Sequence, residues 1–198
     1  MSKKPQPLDN ITRRTEEEIR AYTIGELKPL SGGILIVDYN PQWPQLFARE
    51  AERIRAVLGS LALRIEHAGS TSVPGLAAKP IIDLLLVVAD SAQEDTYAPA
   101  MEAAGYVLRI REPNWYEHRM FKGPDTDINL HVFSSGCPET ERTLMFRDWL
   151  RGNAADRDLY ARTKVALSQK KWTYVQNYAD AKTAVIEEIM ERVPVDRK

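Results

Sequence analysis

HAGSTSVPGL, residues 67–76, and KPIIDLLL, residues 79–86, form the most informative stretch of the chain. The apolar run over residues 81–88 is typical of a strand that is covered on both faces. Asp83 interrupts this run. An isolated carboxylate there is unfavourable unless it holds a cation, accepts several hydrogen bonds or faces an open cleft. The sequence therefore predicts a buried strand in which Asp83 has a partner.

The loop before this strand has the composition of an anion site. Gly69 and Gly75 permit positive φ and close approach of the backbone, and three successive hydroxyl residues follow Gly69. The alternative is structural: the hydroxyls cap a helical turn, residues 73–75 form an ordinary turn, and Asp83 accepts loop N–H groups. We predict a phosphate-binding loop that consists of Gly69, Ser70, Thr71, Ser72 and Lys79.

Several segments resemble the GrpB family, a branch of the nucleotidyltransferase superfamily with a polymerase-beta-like core. They are residues 37–43, 66–86, 129–133 and 146–151, together with Tyr160, Lys164, Tyr178 and Lys182. The resemblance covers about residues 34 to 190. It implies transfer of a nucleoside monophosphate from a nucleoside triphosphate, with Gly-Ser on the phosphates and an Asp-x-Asp pair plus a third acid on metal.

The chain departs from this acidic pattern at Leu85. Asp83 matches the first acid, but Leu85 occupies the second position, and alternation along a strand puts both side chains on one face. Two ions about 3.5 to 4 Å apart normally need bridging acids. A single Mg²⁺ commonly uses one or two carboxylates and completes its shell with water and phosphate. We expect Asp83 to be the catalytic acid, Mg²⁺ or Mn²⁺ to be the cofactor, and binding to survive the departure better than catalysis.

Two further residues are candidates to complete the metal site. Residues 127, 129 and 131 share one face of a predicted strand, and His131 matches the family motif best. Imidazole suits zinc, nickel or copper better than magnesium, so His131 can instead orient a neighbour or contact phosphate. Glu66 can replace the missing acid or form a surface salt bridge. The predicted metal ligands are Asp83, His131 and Glu66.

Basic residues near the predicted cleft are candidates for nucleotide binding. Arg119 and Lys122 come just before the segment 129–133, where positive charge can neutralise a triphosphate. Solvated surface charge is the alternative. We predict that both residues contact the substrate.

The C-terminal region has tyrosines and lysines at helical spacing. Tyr174, Tyr178 and Lys182 are four apart, which predicts one helical face. In related transferases a helical region helps to hold the nucleotide, so Tyr178 can stack on a base while Lys164 or Lys182 meets phosphate. Tyrosine packing between helices is the alternative. Arg147 and Arg151, also four apart, form either a phosphate-facing pair or a salt-bridged hinge to the core.

Alternating strands and helices followed by helices alone predict an α+β fold with a C-terminal helical bundle. The resemblance adds a nucleotidyltransferase-like mixed sheet flanked by helices. We predict three regions: residues 1–33 as a tail and short helix, 34–137 as the core, and 138–198 as a helical region packed on it. Within them we expect a flexible tail over residues 1–14, a capping box opening at Thr15, a strand over 34–38, a helix that Gly59 ends, and a helix from residue 90 or 91 to about Gly105.

Composition narrows the class of partner. The chain has 198 residues and a net charge of -1, which gives no support for long nucleic acids or anionic membranes as partners. Its single cysteine precludes an intrachain disulfide, and its polar N-terminus lacks a secretory segment, which predicts a cytoplasmic protein. We expect the ligand to be a nucleotide or another phosphorylated small molecule.

Two functions remain open from the sequence. One is a metal-dependent nucleotidyltransferase that acts on a nucleoside triphosphate and a small-molecule acceptor. The other is a non-catalytic module that binds a nucleotide or a coenzyme-A-related compound, because GrpB-like domains also occur fused to dephospho-CoA kinases. The sequence does not indicate the acceptor or the oligomeric state.

Overall fold

The computed structural model describes residues 14–194 and contains one five-stranded sheet. The order across the sheet is β1-β2-β5-β4-β3. β2 and β5 are parallel, whereas the other three neighbouring pairs are antiparallel. The strands are β1 (Arg64–Ala68), β2 (Ile82–Val88), β3 (Val107–Glu112), β4 (His118–Lys122) and β5 (Ile128–Ser134). The mixed sheet with flanking helices confirms the predicted α+β fold.

Helices flank the sheet and follow it in the chain. Within residues 14–194, three helices lie before or between the strands and four come after β5, in agreement with the predicted C-terminal helical bundle. They are α1 (Glu16–Tyr22), α2 (Trp43–Leu58), α3 (Ala98–Ala103), α4 (Pro138–Gly152), α5 (Ala154–Ser168), α6 (Val175–Asp180) and α7 (Thr183–Met190). No helix among residues 14–194 is both long enough and apolar enough to cross a membrane.

One face of the sheet forms the main hydrophobic core beneath α2 and α3. Alternate residues of β2 and β5 point into it, including Ile82, Leu84, Ile128 and Leu130, all of which are fully buried. The opposite face bears Asp83 and Leu85, paired across the β2–β5 ladder with Asn129 and His131. Because cross-strand partners share a face, this second face carries the polar residues of interest.

The C-terminal helices pack on this second face and on the loop between β1 and β2. Leu144 of α4 joins Ala68, Leu85 and Phe133 in a small apolar cluster. A second cluster joins the loop to α4, α5 and α7 and consists of Val73, Leu76, Leu150, Tyr160, Val185 and Ile189. The helices therefore cover only part of the face and leave an open space above Asp83.

The N-terminal half of the chain supports some local predictions and corrects others. Thr15 and Glu18 form the predicted capping box at the start of α1, and Gly59 ends α2. The predicted strand over 34–38 is wrong: an isolated bridge between Val37 and Ala78 is all that forms there. Of the predicted flexible tail, residues 1–13 lie outside the described residues.

Two helical predictions are also corrected. The helix expected from residue 90 or 91 begins only at Ala98, after a short 3-10 turn over Glu94–Thr96. Tyr174, Tyr178 and Lys182 do not share one continuous helix, since Tyr174 precedes α6 and Lys182 lies between α6 and α7. Spacing by four predicts a common face only where the helix is unbroken.

Candidate functional site

A cavity of about 570 Å³ lies on the second face of the sheet. Strands β2, β4 and β5 form its floor, and residues 23–28 form one wall. The loop between β1 and β2 and the helices α4, α5 and α6 line the other sides, together with Arg109, Ile110, Trp115 and Lys182. The volume falls in the range of about 300–1,000 Å³ that is common for small-molecule sites. The cavity therefore has the size expected for a ligand such as a nucleotide.

Asp83 lies on the cavity floor and has two polar neighbours. The Asn129 amide Nδ2 donates a hydrogen bond of 2.8 Å to Asp83 Oδ1, and His131 Nε2 lies 3.9 Å from the same oxygen. Burial disfavours the charged form of Asp83, but the protonated form of His131 and the Asn129 amide outweigh it and hold the pKa below its ordinary value. Asp83 is therefore an anion that faces the cavity.

Gly69 brings the backbone against Asp83. Its φ of +64° lies in the left-handed region, and a Cβ at this position would overlap the Asp83 carboxylate. The 3-10 turn Ser70–Ser72 follows directly. Only glycine satisfies both the backbone conformation and the close approach, so Gly69 fixes the distance between this turn and Asp83. We call residues 69–72 the serine turn.

The three hydroxyls of the serine turn are not equivalent. Ser72 Oγ donates to the Gly69 carbonyl at 2.6 Å, and Thr71 Oγ1 contacts the Ile81 carbonyl and His67 Nε2 at 3.3 and 3.1 Å. Both residues thus stabilise the loop itself, which is the structural alternative that the sequence left open. The Ser70 hydroxyl lines the cavity and has no hydrogen-bond partner among residues 14–194.

The cavity lining carries an excess of positive charge. Six lysine or arginine side chains line it against three carboxylates, whereas the whole chain has a net charge of -1. This contrast means that the cations are concentrated at the site. Four of the six were predicted from sequence: Lys79, Lys122, Lys164 and Lys182.

Lys164 is the most deeply placed of these cations. It is only 2% exposed, its Nζ donates to the Ala77 carbonyl at 2.5 Å, and it lies 4.8 Å from the centre of the Tyr160 ring. Burial, with a smaller effect from Lys182, lowers the pKa of Lys164 to about 7, although Asp83 opposes this shift. Its charge therefore changes near neutral pH.

Lys182 and Tyr178 line the cavity together. Lys182 Nζ lies 5.1 Å from the centre of the Tyr178 ring, a distance typical of a cation–π contact. The Tyr178 ring also packs edge-on against Trp172, and its buried hydroxyl has no hydrogen-bond partner within the described residues. Burial raises the Tyr178 pKa. Tyr178 thus has a structural packing role as well as a place in the lining.

The remaining two predicted lysines lie at the rim. Lys79 is half-buried, and burial together with Lys122 lowers its pKa. Lys122 Nζ pairs with Asp127 at 3.0 Å, and its side chain is 38% exposed. Both residues line the cavity, so the structure brings all four predicted lysines to one space.

Arg119 is the predicted cation that the structure does not bring to the cavity. It lies on the core face of β4, is 4% exposed, and pairs with Glu94 and with Glu117. Its register partner in β5 is Val132, a core residue. The expected substrate contact is therefore corrected to a structural ion pair at the edge of the core.

Glu66 faces the same side of the sheet as Asp83 but is committed elsewhere. It pairs with Arg64 at 3.1 Å and with Arg147 at 2.9 Å. Burial opposes its ionisation, but the two arginines hold its pKa below the ordinary value. Glu66 does not line the cavity and forms the salt bridge that was its alternative role.

The acidic metal site of the superfamily does not fit these residues. Leu85 is 3% exposed within the apolar cluster with Phe133, so no carboxylate occupies the second position. Within residues 14–194, no three His, Cys, Asp or Glu side chains converge as metal ligands. Asp83 and His131 come together but Glu66 does not join them. The arrangement offers at most a single ion held partly by a bound ligand.

Three cations of the C-terminal helices hold the loop that carries the serine turn. Arg147 donates to the His67 carbonyl at 3.0 Å, Arg151 to the Ser72 carbonyl at 2.8 Å, and Lys164 to the Ala77 carbonyl. Arg147 and Arg151 therefore form the hinge to the core rather than a phosphate-facing pair. The helices thus fix the backbone of this loop through Arg147 and Arg151, which do not line the cavity, and through Lys164, which does.

Sequence reasoning missed two residues of the site: His118 of β4 is hydrogen-bonded to His131, and Trp115 lines the cavity. Asn129, which was predicted to share a strand face with His131, contacts Asp83, and Arg109 also lines the cavity. Burial lowers the pKa of His118 to about 4, although Glu112 opposes this. The alternation of His118, Met120 and Lys122 along a strand was a signal that could have placed His118 beside Lys122.

The fold defines the class of protein to which the chain belongs. A crystal structure of the Cid1 poly(U) polymerase with Mg 3'-dATP bound has a TM-score of 0.53 and 11% sequence identity, over 74% of this chain and 49% of that chain. At this identity the likeness concerns the fold alone. The protein is thus an α+β protein with a nucleotidyltransferase-like fold.

Sequence comparison identifies one family within this class of fold. The family profile described as GrpB protein matches residues 33–192, and the chain belongs to the GrpB family. A crystal structure of protein GrpB from Enterococcus faecalis has a TM-score of 0.69 and 31% identity, over 80% of this chain and 98% of that chain. The resemblance seen in the sequence is confirmed.

Individual proteins are also similar to the chain, two of them over nearly their whole length. A UPF0157 protein of Halalkalibacterium halodurans is 63% identical over 92% of this chain and 94% of its own length. A UPF0157 protein of Streptomyces coelicolor is 41% identical over 94% of this chain and 97% of its own length. A more distant relative, a dephospho-CoA kinase of Mycolicibacterium paratuberculosis, is 27% identical over 69% of this chain and 40% of its own length.

Proposed function

We propose that the protein binds a nucleotide or a closely related phosphorylated small molecule in the cavity above Asp83. The observation that carries this proposal is the convergence of Lys79, Lys164 and Lys182 on the cavity that the Ser70 hydroxyl also lines, a hydroxyl with no hydrogen-bond partner among the described residues. Phosphate oxygens are acceptors only, so they suit a space lined by ammonium groups and a hydroxyl. The phosphates would lie between the serine turn and the lysines.

Electrostatics favour a polyphosphate over a single phosphate. The lining has three more basic than acidic side chains, and burial gives each charge more weight than it has in water. Asp83 at the floor would repel a phosphate oxygen directly in front of it. One divalent ion between Asp83 and the phosphates would offset this repulsion and supply further charge neutralisation.

The acidic residues at the site support ligand binding without nucleotidyl transfer. Nucleotidyl transfer by two metal ions uses acids that bridge the ions, and Leu85 occupies the position of one of them. The structure therefore supports the binding module more strongly than the metal-dependent transferase. Pyrophosphate release from a nucleoside triphosphate would separate the two functions.

The relatives extend the range of ligands worth testing. The dephospho-CoA kinase relative is named for a coenzyme A precursor, which favours coenzyme-A-related compounds as a second ligand class. These compounds contain adenine and phosphates, so the same lysines and Ser70 would serve. The bounded volume of about 570 Å³ suits such small molecules better than a long polymer.

Ligand-induced stabilisation tests the proposal. The protein would be heated with ATP, CTP, GTP, UTP, coenzyme A, dephospho-CoA or inorganic triphosphate, with and without Mg²⁺ or Mn²⁺. A ligand at a hundred times its Kd stabilises by about 2.7 kcal/mol, which shifts the melting temperature measurably. We expect a shift with at least one of these ligands.

Two variants make the test specific to the cavity. We expect Lys182→Met combined with Ser70→Ala to abolish the shift while the variant stays folded. Arg162→Met is the matched control, because Arg162 lies on the exposed side of α5 and loses the same charge. The absence of any shift with all of these ligands, or an equal shift in the double variant, would contradict binding at this site.

A further inference from the structure

A chain of four side chains crosses the cavity face of the sheet from β3 to β2. Glu112 Oε2 lies 2.7 Å from His118 Nδ1, and His118 Nε2 lies 2.9 Å from His131 Nδ1. His131 Nε2 then lies 3.9 Å from Asp83 Oδ1. The strand order β2-β5-β4-β3 places these residues side by side. The chain thus connects a carboxylate at the edge of the sheet to the acid in the cavity.

Glu112, at the sheet edge, determines where the protons lie in this row of four side chains. Glu112, which also pairs with Arg14 at 3.1 Å, offers only acceptor oxygens, so His118 Nδ1 must carry a proton. Nε2 of the neutral His118 ring is then an acceptor, and it takes the proton of His131 Nδ1. A neutral His131 consequently has no proton on Nε2.

Packing keeps the His118 ring in this orientation. His118 is 3% exposed and stacks on Phe133 at 4.8 Å and on His131 at 5.1 Å between ring centres. Trp115 contacts it edge-on at 5.2 Å. Turning the ring over would break both of its hydrogen bonds inside this stack. The orientation of His131 is therefore set through His118, which does not itself line the cavity.

When His131 is neutral, its Nε2 and the Asp83 carboxylate are two electron-pair donors that face each other. His131 Nε2 and Asp83 Oδ1 are 3.9 Å apart, beyond hydrogen-bonding distance. Bonds of about 2.0–2.2 Å from each atom to a zinc-sized ion reach across this gap after a small rotation of either side chain. A histidine that binds a metal commonly donates its other N–H to a fixed acceptor, as His131 does to His118.

We propose that Glu112 and His118 are positioning residues that hold His131 Nε2 toward Asp83, and that this nitrogen–oxygen pair selects Zn²⁺ or Co²⁺ over Mg²⁺ when the phosphorylated ligand binds. The ion selection rests on the proposed function, because the ligand's phosphates supply the remaining coordination. Imidazole nitrogen is a good ligand for zinc and cobalt and a poor one for magnesium. The missing acid at Leu85 is thus not replaced by another acid.

Histidine tautomers in the protein without ligand test the positioning half. The chain has three histidines, so long-range ¹H–¹⁵N spectra are assigned with His118→Phe and His131→Gln, and His67 is the internal control. We expect the proton on Nδ1 in both His118 and His131. In His118→Phe, which keeps an aromatic ring against Phe133, the His131 proton should move to Nε2.

Variants of Glu112 distinguish positioning from general structural support. Glu112→Gln keeps an acceptor oxygen and should preserve the wild-type tautomers, whereas Glu112→Ala should disturb them. A proton on Nε2 of His131 in the wild-type protein would overturn the proposal. So would a His131 tautomer that is unchanged in both His118→Phe and Glu112→Ala.

Ion selection is measured with inorganic triphosphate as the probe. The Kd would be determined by calorimetry with Mg²⁺, Zn²⁺ or Co²⁺, and the visible spectrum of bound Co²⁺ reports its ligands directly. We expect binding about tenfold or more tighter with Co²⁺ than with Mg²⁺, and a ratio near one in His131→Ala. Equal affinities in the wild-type protein would overturn the ion selection.

The two proposals fail in distinguishable ways. If triphosphate does not bind with any ion, the proposed function and the ion selection both fall for this probe, and the tautomer spectra still decide the positioning roles. If triphosphate binds equally with all ions in wild-type protein and in His131→Ala, the proposed function stands and the ion selection alone is wrong.

Discussion

The two sides of Asp83 differ in chemistry although they lie within one sheet face. On one side are Gly69, the Ser70 hydroxyl and buried Lys164, all of which line the cavity. On the other side Leu85 packs into an apolar cluster and Glu66 is neutralised by two arginines. The first side carries the groups that we propose hold phosphate, and the second lacks the acids that would act on it.

The two sides of Asp83 also differ in the free energy of burying their side chains. A lysine that is 2% exposed is expensive to bury as a cation, and Lys164 has a pKa of about 7 for that reason. Leu85 and its neighbours, in contrast, gain stability from burial, at about 25 cal/mol for each Å² of apolar surface. Cost is therefore concentrated on the phosphate side, where a bound anion would offset it.

The largest expected effect comes from Gly69→Ala, which would break the phosphate side. Its φ of +64° and the overlap of a new Cβ with Asp83 should together lower the free energy of unfolding by about 4 kcal/mol. Ligand-induced stabilisation should disappear. Thermal and urea unfolding with and without triphosphate would measure both effects.

Gly75→Ala is the matched control for this variant. Gly75 has a φ of +77°, but no atom lies within 4 Å of a Cβ built there. We expect a loss of only about 1 kcal/mol and unchanged ligand binding. Equal losses for the two variants would mean that contact with Asp83 does not explain the requirement at Gly69.

Leu85→Asp would change the other side of the comparison. Replacing a buried leucine should lower the free energy of unfolding by about 3 kcal/mol. The new acid would share a strand face with Asp83, so Mg²⁺ should restore part of the lost stability. Melting curves at increasing Mg²⁺ concentration provide the measurement, and Leu85→Asn, which has the same shape without charge, should show no such response.

Lys164→Met should lower the affinity for triphosphate by about ten- to a hundredfold, equivalent to about 1.4–2.7 kcal/mol. Only the charged form attracts phosphate, so wild-type affinity should fall as pH rises through about 7, the pKa of Lys164. This pH dependence should be absent from the variant. Calorimetric titrations at pH 6 to 8 would test it; a persisting slope would assign the charge change to another group.

The same residue makes a prediction about stability. The pKa of Lys164 is lowered in the folded protein from an ordinary value of 10.5 to about 7. Between these values the unfolded chain binds a proton that the folded protein has lost, so this group makes the unfolding free energy rise with pH. Its unfavourable contribution is fully present below pH 7. Lys164→Met should remove this rise.

The smallest effect is expected at Lys122. Its side chain is 38% exposed and is paired with Asp127, so Lys122→Met should weaken triphosphate binding by only about threefold. Arg119→Met is the comparison, because Arg119 lies on the opposite sheet face. It should reduce stability without changing affinity. A larger loss of affinity in Arg119→Met than in Lys122→Met would reverse the assignment.

Local patterns in the sequence were enough to predict the floor of the site. The apolar run with one acid identified β2, and the glycine and hydroxyl residues identified the serine turn. Alternation also held information that was not used: Arg119 and Lys122 are three residues apart in one strand, so they cannot share a face. That spacing alone could have excluded one of them from the cavity.

Long-range partners could not be predicted from the sequence. Glu66 is withdrawn from the site by Arg147, which is 81 residues away in the chain. The break between α6 and α7 is equally hidden, because Tyr178 and Lys182 keep the spacing of a helix across it. Both outcomes depend on tertiary packing, which overrides local spacing.

The carbonyls of His67, Ser72 and Ala77 link the loop between β1 and β2 to the C-terminal helices. Each accepts a hydrogen bond from a cation of α4 or α5, so the helices support the backbone of the loop that carries the serine turn. A fragment that ends after β5 would keep every residue of the serine turn and lose the supports of its backbone.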